Sequence, residues 1–226
     1  ERNRTDWSFL PYADPMAVVR PGSTEEVAKA LRLCHGAGVS VTPQGGLTGL
    51  CGGARPLDGG IALSLERMHG IEAIDPVGMT MTVRAGTPLE VIQKAADDAG
   101  LLFSLDLGAR GSCAIGGNLS TNAGGNRVIR YGMAKDLVLG LEAVTVDGTV
   151  ISMMNRMIKN NAGYDLKQLF LGSEGTLGVI TRAVLRLHPK PGCVQAALCV
   201  VTGYDQVLAL LAGARRNLGP LLSAFE

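Results

Sequence analysis

From Asp106 to Gly132 the chain reads DLGARGSCAIGGNLSTNAGGNRVIRYG, and no other stretch restricts its folding options as much. Gly108, Gly111, Gly116, Gly117, Gly124, Gly125 and Gly132 remove side chains, while Ser112, Asn118, Ser120, Thr121 and Asn122 supply short hydrogen-bonding groups. Backbone without Cβ atoms can lie directly against a ligand. Successive N–H groups in such turns form concave nests that hold anions. Ile115, Leu119 and Val128 are interleaved with these residues, which a solvated linker does not need. The run reads as a wall of buried backbone laid against a large, partly anionic ligand; a glycine-rich structural turn is the plainer alternative.

Two further glycine loops share this character. Val39 to Thr42 has the residues of a short strand and feeds directly into PQGGLTGLCGGA, Pro43 to Ala54. Its glycines at 45, 46, 49, 52 and 53 do not follow the G-x-G-x-x-G spacing of a Rossmann loop. No Gly-Lys-Ser or Gly-Lys-Thr follows either, so a P-loop is excluded. What remains is a set of N–H groups and the Thr48 hydroxyl, suited to a pyrophosphate, although a turn-rich surface loop has the same residues. GSEGTLG, Gly172 to Gly178, places Glu174 between glycines, as a ligand contact or as a carboxylate that caps its own loop. Cys51 and Cys113 lie inside these loops and read as small buried hydrophobes. Arg127 and Arg130 beside Tyr131 read as a salt-bridged surface or as a neutraliser of an anion. Lys159 to Asp165, KNNAGYD, is equally open between turn and site.

Glycine makes up 31 of 226 residues, about twice the usual ~7%. The length allows one large domain, or one domain and part of another. Hydrophobic residues at 46% and charged residues at 18% describe a globular chain with ample core. A net charge of +1 and 4% aromatics argue against a nucleic-acid partner, which calls for a basic face. No apolar run approaches the roughly 18 residues of a membrane span. The five cysteines are odd in number, scattered and without C-x-x-C, so neither a disulfide framework nor a zinc site is expected, and a reducing compartment is. His35, His69 and His188 lack ligand spacing, so no metal site is expected from this chain alone. The first residue is Glu1 rather than Met, from which a trimmed targeting segment is expected.

Ser23-Thr24-Glu25-Glu26 is a capping box ahead of a helix with Val27, Ala30, Leu31 and Cys34 on one face, stopped at Gly36 and Gly38. Ile61 to Leu65 and Thr80 to Ala85 read as strands. Thr87 as cap and Pro88 at the first position start a second helix, which buries Ile92, Ala95, Ala96 and Ala99. Val138 to Val146 and Thr149 to Met153 flank Asp147-Gly148, a hairpin signal. Tyr164 to Leu171 reads as a short helix and Val179 to Leu187 as a strand. After His188-Pro189-Lys190-Pro191-Gly192 the pattern changes to a strand from Val194 to Val201, a helix from Tyr204 to Asn217 and a strand starting at Leu221. A β-α-β unit of this kind cannot bury its own apolar faces, so 191–226 is expected to begin a second, incomplete domain.

PGSTEEV, PQGGLTGLCGGA, LDLGARGSCAIGGNLSTNAGGNRVIRYG and KNNAGYDLKQLFLGSEGTLGVIT, in this order between Val18 and Pro191, resemble the FAD-linked D-2-hydroxyacid dehydrogenases. These are flavoproteins of the vanillyl-alcohol-oxidase (PCMH) type. The resemblance implies an α+β FAD-binding domain over 1–190, in two subdomains of about 1–65 and 66–190. The first has a small sheet, the second a larger mixed sheet, with FAD between them and the start of an α+β substrate-binding domain after it.

Carried onto this chain, the amides of Gln44, Gly45, Gly46, Leu47, Thr48 and Gly49 would hold the pyrophosphate. Gly111, Ser112, Ile115, Gly116, Asn118, Thr121 and Ala123 would line the flavin and ribityl chain, with Ile115 against the ring. Glu174, Gly178, Val179 and Ile180 would meet the remaining adenosine or flavin edges. Leu47 departs from the family, which usually has a small or polar residue there. With no His in these loops, the FAD is expected to be non-covalent.

The implied reaction takes a small 2-hydroxyacid, of 2-hydroxyglutarate, lactate or glycolate type, to the 2-oxoacid. Its electrons would pass to a quinone, an electron-transfer flavoprotein or a cytochrome. A related oxidase using oxygen, or a non-catalytic flavin-binding subunit, fits the same motifs. Catalytic groups are expected from the substrate domain, so none is assigned here. A cytoplasmic protein, mitochondrial if eukaryotic, and a homodimer complete the expectations.

Overall fold

In the computed structural model, which describes residues 2–226, a short 3-10 turn, Arg2–Arg4, precedes strand β1, Ala17–Val19. Helix α1, Thr24–Gly36, starts at the predicted cap, where the Ser23 hydroxyl accepts from the Glu26 N–H at 3.2 Å. The Glu26 carboxylate caps the Gly22 N–H, at 2.6 Å, rather than that of Ser23. Val27, Ala28 and Leu31 form its buried face. Strands β2, Val41–Gln44, and β3, Ile61–Ser64, complete a parallel sheet in the order β1-β3-β2. All of β3 is buried, as expected for a central parallel strand covered on both faces.

Strands β4, Ile71–Asp75, and β5, Thr80–Arg84, come next. Helix α2, Leu89–Asp98, has Pro88 as its N-cap, one residue beyond the expected Thr87. The Thr87 hydroxyl is drawn instead to the carbonyls of Arg84, at 2.6 Å, and Gly70, at 3.1 Å. After β6, Leu101–Leu102, the central run folds into helices α3, Ile115–Ser120, and α4, Val128–Tyr131. Strands β7, Val138–Val144, and β8, Val150–Met153, form the hairpin expected around Asp147-Gly148. Gly148 takes φ 79°. The Asp147 carboxylate accepts from the Thr145 hydroxyl at 2.6 Å and from the Thr149 N–H at 3.0 Å, which lowers its pKa to about 2.

Helix α5 is confined to Lys167–Phe170, β9 runs Val179–Arg186, and β10, His188–Pro189, pairs with β6. The larger sheet has the order β4-β5-β9-β7-β8 and every neighbouring pair is antiparallel, not mixed as expected. Helix α6, Tyr204–Leu218, forms where predicted. The strands expected at 194–201 and from Leu221 do not form; residues 194–201 are exposed and Gly219–Leu221 is a 3-10 turn. A strand persists only where another satisfies its N–H and C=O groups, and no ladder partner for 194–201 exists among the described residues.

One apolar cluster joins both sheets, from Val27 and Leu31 of α1 through Leu63 of β3 to Met81, Leu141, Val144 and Leu185. A buried polar contact pins α1 onto the larger sheet. The Glu142 carboxylate, on β7, accepts from the hydroxyls of Thr24 at 2.7 Å and Thr181 at 2.9 Å, and from Arg182 at 3.3 Å. Arg182 also grips Glu72, with Nε at 3.0 Å and Nη2 at 2.5 Å. Burial pushes the Glu72 carboxyl up, but Arg182 and Arg84 outweigh it and hold the group below its usual value.

Candidate cofactor site

A cavity of about 550 Å³ opens where the three glycine loops meet. Its wall comes from the loop after β2, from Leu65 after β3, from the turn and helix α3 of the central run, and from the loop leading into β9. The volume is that of a small-molecule site.

Two glycines set how closely these walls approach. A Cβ at Gly46 would lie 2.7 Å from Cys113 Cα and 2.8 Å from the Ser112 carbonyl carbon, so the first loop rests directly on the backbone of the central run. A Cβ at Gly116 would lie 2.7 Å from that of Ala85, and the Gly116 N–H donates to the Ala85 carbonyl at 2.7 Å. A Cβ at Gly117, by contrast, would meet nothing within 4 Å. Its Cα faces the open cavity.

Three non-glycine residues of the loops that build this cavity adopt left-handed backbone: Leu47 at φ 61°, Asn122 at 46° and Glu174 at 52°. Each belongs to a different loop. The third loop is tied to α3 by the Gly172 and Glu174 N–H groups, which donate to the carbonyls of Leu119 at 3.1 Å and Ser120 at 2.8 Å.

The electrostatics of the wall are set by backbone. Among the described residues no Lys, Arg or His lines the cavity, and Glu174 is the one charged side chain there. The N–H groups from Gly45 to Gly53 find no acceptor among the described residues. Free N–H groups converging on a concave surface suit an anion, and unpaired backbone donors call for a partner.

Gln44, Gly45, Gly46, Leu47, Thr48, Gly49, Gly116, Asn118, Thr121, Ala123, Glu174, Gly178, Val179 and Ile180 line this cavity. Gly111, Ser112 and Ile115 do not. Ile115 opens α3 with its side chain fully buried in the core and its N–H on the Thr87 carbonyl at 2.9 Å, so it is not on the wall. The Ser112 hydroxyl is exposed and turned to the Ala109 carbonyl at 3.3 Å, and Gly111 is exposed beside Glu90. The Asn118 side chain donates to Cys113 Sγ at 3.4 Å, and burial pushes the Cys113 thiol up. Cys51 is exposed on the wall rather than buried. Arg127 bridges Asp106 at 3.4 Å and does not reach the cavity, and Arg130 stacks on Tyr131. Asp165 stays outside too, its carboxyl lowered mainly by its hydrogen bond to Lys167. Gly53 and Gly175 also line the wall, and their membership of glycine loops was the signal for them. Ala109 lines it from within the central run, and Leu65 lines it with no local signal at all.

A family described as "FAD binding domain" matches residues 15–154, more than half of the chain. The chain belongs to that FAD-binding domain family. D-2-hydroxyglutarate dehydrogenase, mitochondrial, of Bos taurus is 45% identical over 100% of this chain and 42% of its own length. D-2-hydroxyglutarate dehydrogenase of Xanthomonas citri pv. viticola is 43% identical over 98% of this chain and 46% of its own length. The chain thus spans less than half the length of these curated relatives. Solved structures of alkyldihydroxyacetonephosphate synthase superpose with a TM-score of 0.69 at 28% identity, covering 78% of this chain and 32% of that one. The fold is α+β and of the PCMH type.

FAD is the cofactor of this domain, and the residues present fit it. The glycine wall admits a ligand against the main chain, and the N–H groups of Gly45 to Gly53 are free for a pyrophosphate. Val179 and Ile180 add an apolar surface at the start of β9. No helix among the described residues is long and apolar enough to cross a membrane.

Proposed function

We propose that this FAD-binding domain serves a dehydrogenase that oxidises a small D-2-hydroxyacid to the 2-oxoacid. The observation that carries the reading is likeness along the whole chain, at 43–45% identity, to proteins named D-2-hydroxyglutarate dehydrogenase. Acids of the lactate or glycolate type are the neighbouring choices; a relative from Schizosaccharomyces pombe is named a putative D-lactate dehydrogenase. When bound, FAD would supply the two-electron acceptor for this oxidation.

What the chain itself contributes is binding and orientation. The N–H groups of Gln44 to Gly49 hold the pyrophosphate. Gly116, Asn118, Thr121 and Ala123 shape the flavin and ribityl side, and Glu174, Gly178, Val179 and Ile180 close the other edge. Residues 1–190 act as the FAD-binding unit, divided near residue 65, and 191–226 lead into the substrate-binding part. The base and the carboxylate-holding cation come from that part. The electron acceptor is a quinone, an electron-transfer flavoprotein or a cytochrome. The setting is reducing, cytoplasmic, or mitochondrial as the names of the bovine and Arabidopsis relatives state for those proteins, and the assembly is a homodimer.

The test begins with an absorption spectrum of the purified chain between roughly 350 and 500 nm, the flavin window. A two-banded spectrum whose chromophore leaves on denaturation is expected for non-covalent FAD. The polypeptide extended to the length of its relatives should then lose its ~450 nm band when mixed anaerobically with D-2-hydroxyglutarate, and keep it with the L-enantiomer. Bleaching by neither enantiomer of 2-hydroxyglutarate, lactate or by glycolate sinks the dehydrogenase reading.

A further inference from the structure

The first glycine loop has nothing inside itself to hold its shape. No N–H from Gly45 to Gly53 has an acceptor among the described residues, so the hydrogen bonds that hold the loop lie at its neck, where Gln44 and Ala54 come together. There the Gln44 side chain, 1% exposed, donates through Nε2 to the Ala54 carbonyl at 2.8 Å and ties the two ends of the loop. The same Nε2 donates to the Asn3 carbonyl at 2.9 Å, and Oε1 accepts from Asn3 Nδ2 at 2.7 Å. Asn3 is itself 5% exposed. A second tie lies beside the first: Asp6, also buried, accepts from the Ala54 N–H at 3.2 Å and from the Ser8 N–H at 3.1 Å.

Both donors of the Gln44 amide are spent in this arrangement, and its oxygen is engaged. The side chain therefore has no donor left for a ligand, although the residue lines the cavity. Its backbone carbonyl is occupied as well, by the Leu65 N–H at 2.9 Å.

We infer that the reciprocal amide pair of Asn3 and Gln44 is a positioning device: it straps the N-terminal segment across the neck of the first glycine loop and pre-aims that loop's N–H groups at the cofactor's pyrophosphate. This rests on the FAD reading of the cavity. Donors held in place before the ligand arrives spare the ordering cost of binding. Without the strap the loop is free to sample orientations in which its N–H groups do not converge. The side-chain amides of Asn3 and Gln44 act through the loop and donate nothing to the cofactor.

The experiment uses the whole chain in three forms: wild type, Asn3→Ala, and the exchange Asn3→Gln with Gln44→Asn. The exchange keeps both amides and the combined side-chain length. Backbone order parameters of Gly45 to Gly53 are measured on ligand-free protein, and FAD affinity by quenching of flavin fluorescence. Wild type should show order parameters near ~0.85 in the loop, and Asn3→Ala values below about 0.6. FAD affinity should fall about tenfold in Asn3→Ala, with the order parameters of β9 unchanged. The exchange variant should recover both readouts, which a generic loss of packing at the terminus would not predict.

Loop order and FAD affinity in Asn3→Ala equal to wild type would overturn the strap, as would failure of the exchange variant to recover either. Wild-type protein that binds no FAD would overturn the cofactor reading instead, and the order parameters would still judge the strap.

Discussion

Gly46→Ala and Gly117→Ala look alike in sequence and should fail in opposite ways. At Gly46 the new methyl would fall on the backbone of Ser112 and Cys113, at 2.8 and 2.7 Å. No rotamer change can relieve a clash with main chain, so the first loop and the central run have to separate. Overpacking of this kind costs about 1–3 kcal/mol, and a rigid backbone neighbour puts Gly46→Ala at about 3 kcal/mol. For a chain of this size each kcal/mol shifts the melting temperature by about 2–4 °C, so a drop of about 6–12 °C follows. At Gly117, inside α3, the methyl meets nothing within 4 Å. Exchanging glycine for alanine in a helix gains up to about 1 kcal/mol, so the ligand-free protein should melt no lower than wild type. That methyl projects into the cavity, however, and should weaken FAD binding at least tenfold. Thermal unfolding of ligand-free protein and a flavin-quenching titration measure both quantities. If Gly46→Ala melts within 2 °C of wild type, or Gly117→Ala binds FAD as wild type does, the account of the cavity walls is wrong.

Three other outcomes follow from the geometry. Glu142→Ala deprives the buried hydroxyls of Thr24 and Thr181 of their acceptor. Charge-assisted bonds are worth about 1.5–3 kcal/mol each, less the desolvation no longer paid, so a net loss of about 3 kcal/mol is expected, read by urea unfolding; a loss under about 1 kcal/mol would show that the network is incidental. His188 packs on Tyr131 at 4.7 Å with Nε2 buried and unpartnered, and burial, then Arg186 and Arg130, hold its imidazole below the usual value. Between that lowered value and the ~6.5 of an unfolded chain the unfolded state binds more protons, so stability falls as pH drops below about 6.5 and levels off once folded His188 is protonated. In melting curves from pH 7.5 to 5, His188→Phe should flatten that fall, and an unchanged slope would refute the assignment. Finally, a thiol reagent should label the exposed Cys51, Cys193 and Cys199 and spare buried Cys113. Added FAD should slow labelling of Cys51 alone, because Cys51 lines the cavity; equal slowing at Cys193 or Cys199 would count against the site.

Features written in local chemistry are legible in the amino-acid sequence. The Ser23 cap and the Asp147-Gly148 turn need only their own neighbours, and both form as read. Glycine-rich walls are legible for a similar reason, since side chains are absent only where something else takes the space. Residues whose roles depend on distant partners are not. Thr87 has the residue type of a cap, yet the Gly70 and Arg84 carbonyls compete for its hydroxyl and win. Ile115 sits among wall residues, but contact between Gly116 and Ala85 rotates α3 so that position 115 faces the core. Asn3 and Asp6 lie in a segment with no pattern of its own, and only the fold brings them to the neck of a loop some forty residues away.

Leu47 shows how one departure can carry its own compensation. Its φ of 61° is the conformation that glycine adopts freely and asparagine tolerates. A leucine there bears a backbone cost of about 1–2 kcal/mol, and such cost persists only where the surroundings over-determine the chain. The side chain is 9% exposed, and burying a leucine returns about 1.5–3 kcal/mol, enough to offset the strain. A glycine at this position would reach the same angle at no steric cost but would leave the loop without its apolar anchor. In a loop whose N–H groups bond to nothing inside it, that buried side chain works with the Gln44 and Asp6 ties at the neck and with the Gly46 contact to fix the direction of its donors. The leucine is therefore compatible with an anion site built from backbone alone, because what the site needs from position 47 is a held main chain rather than a particular side chain.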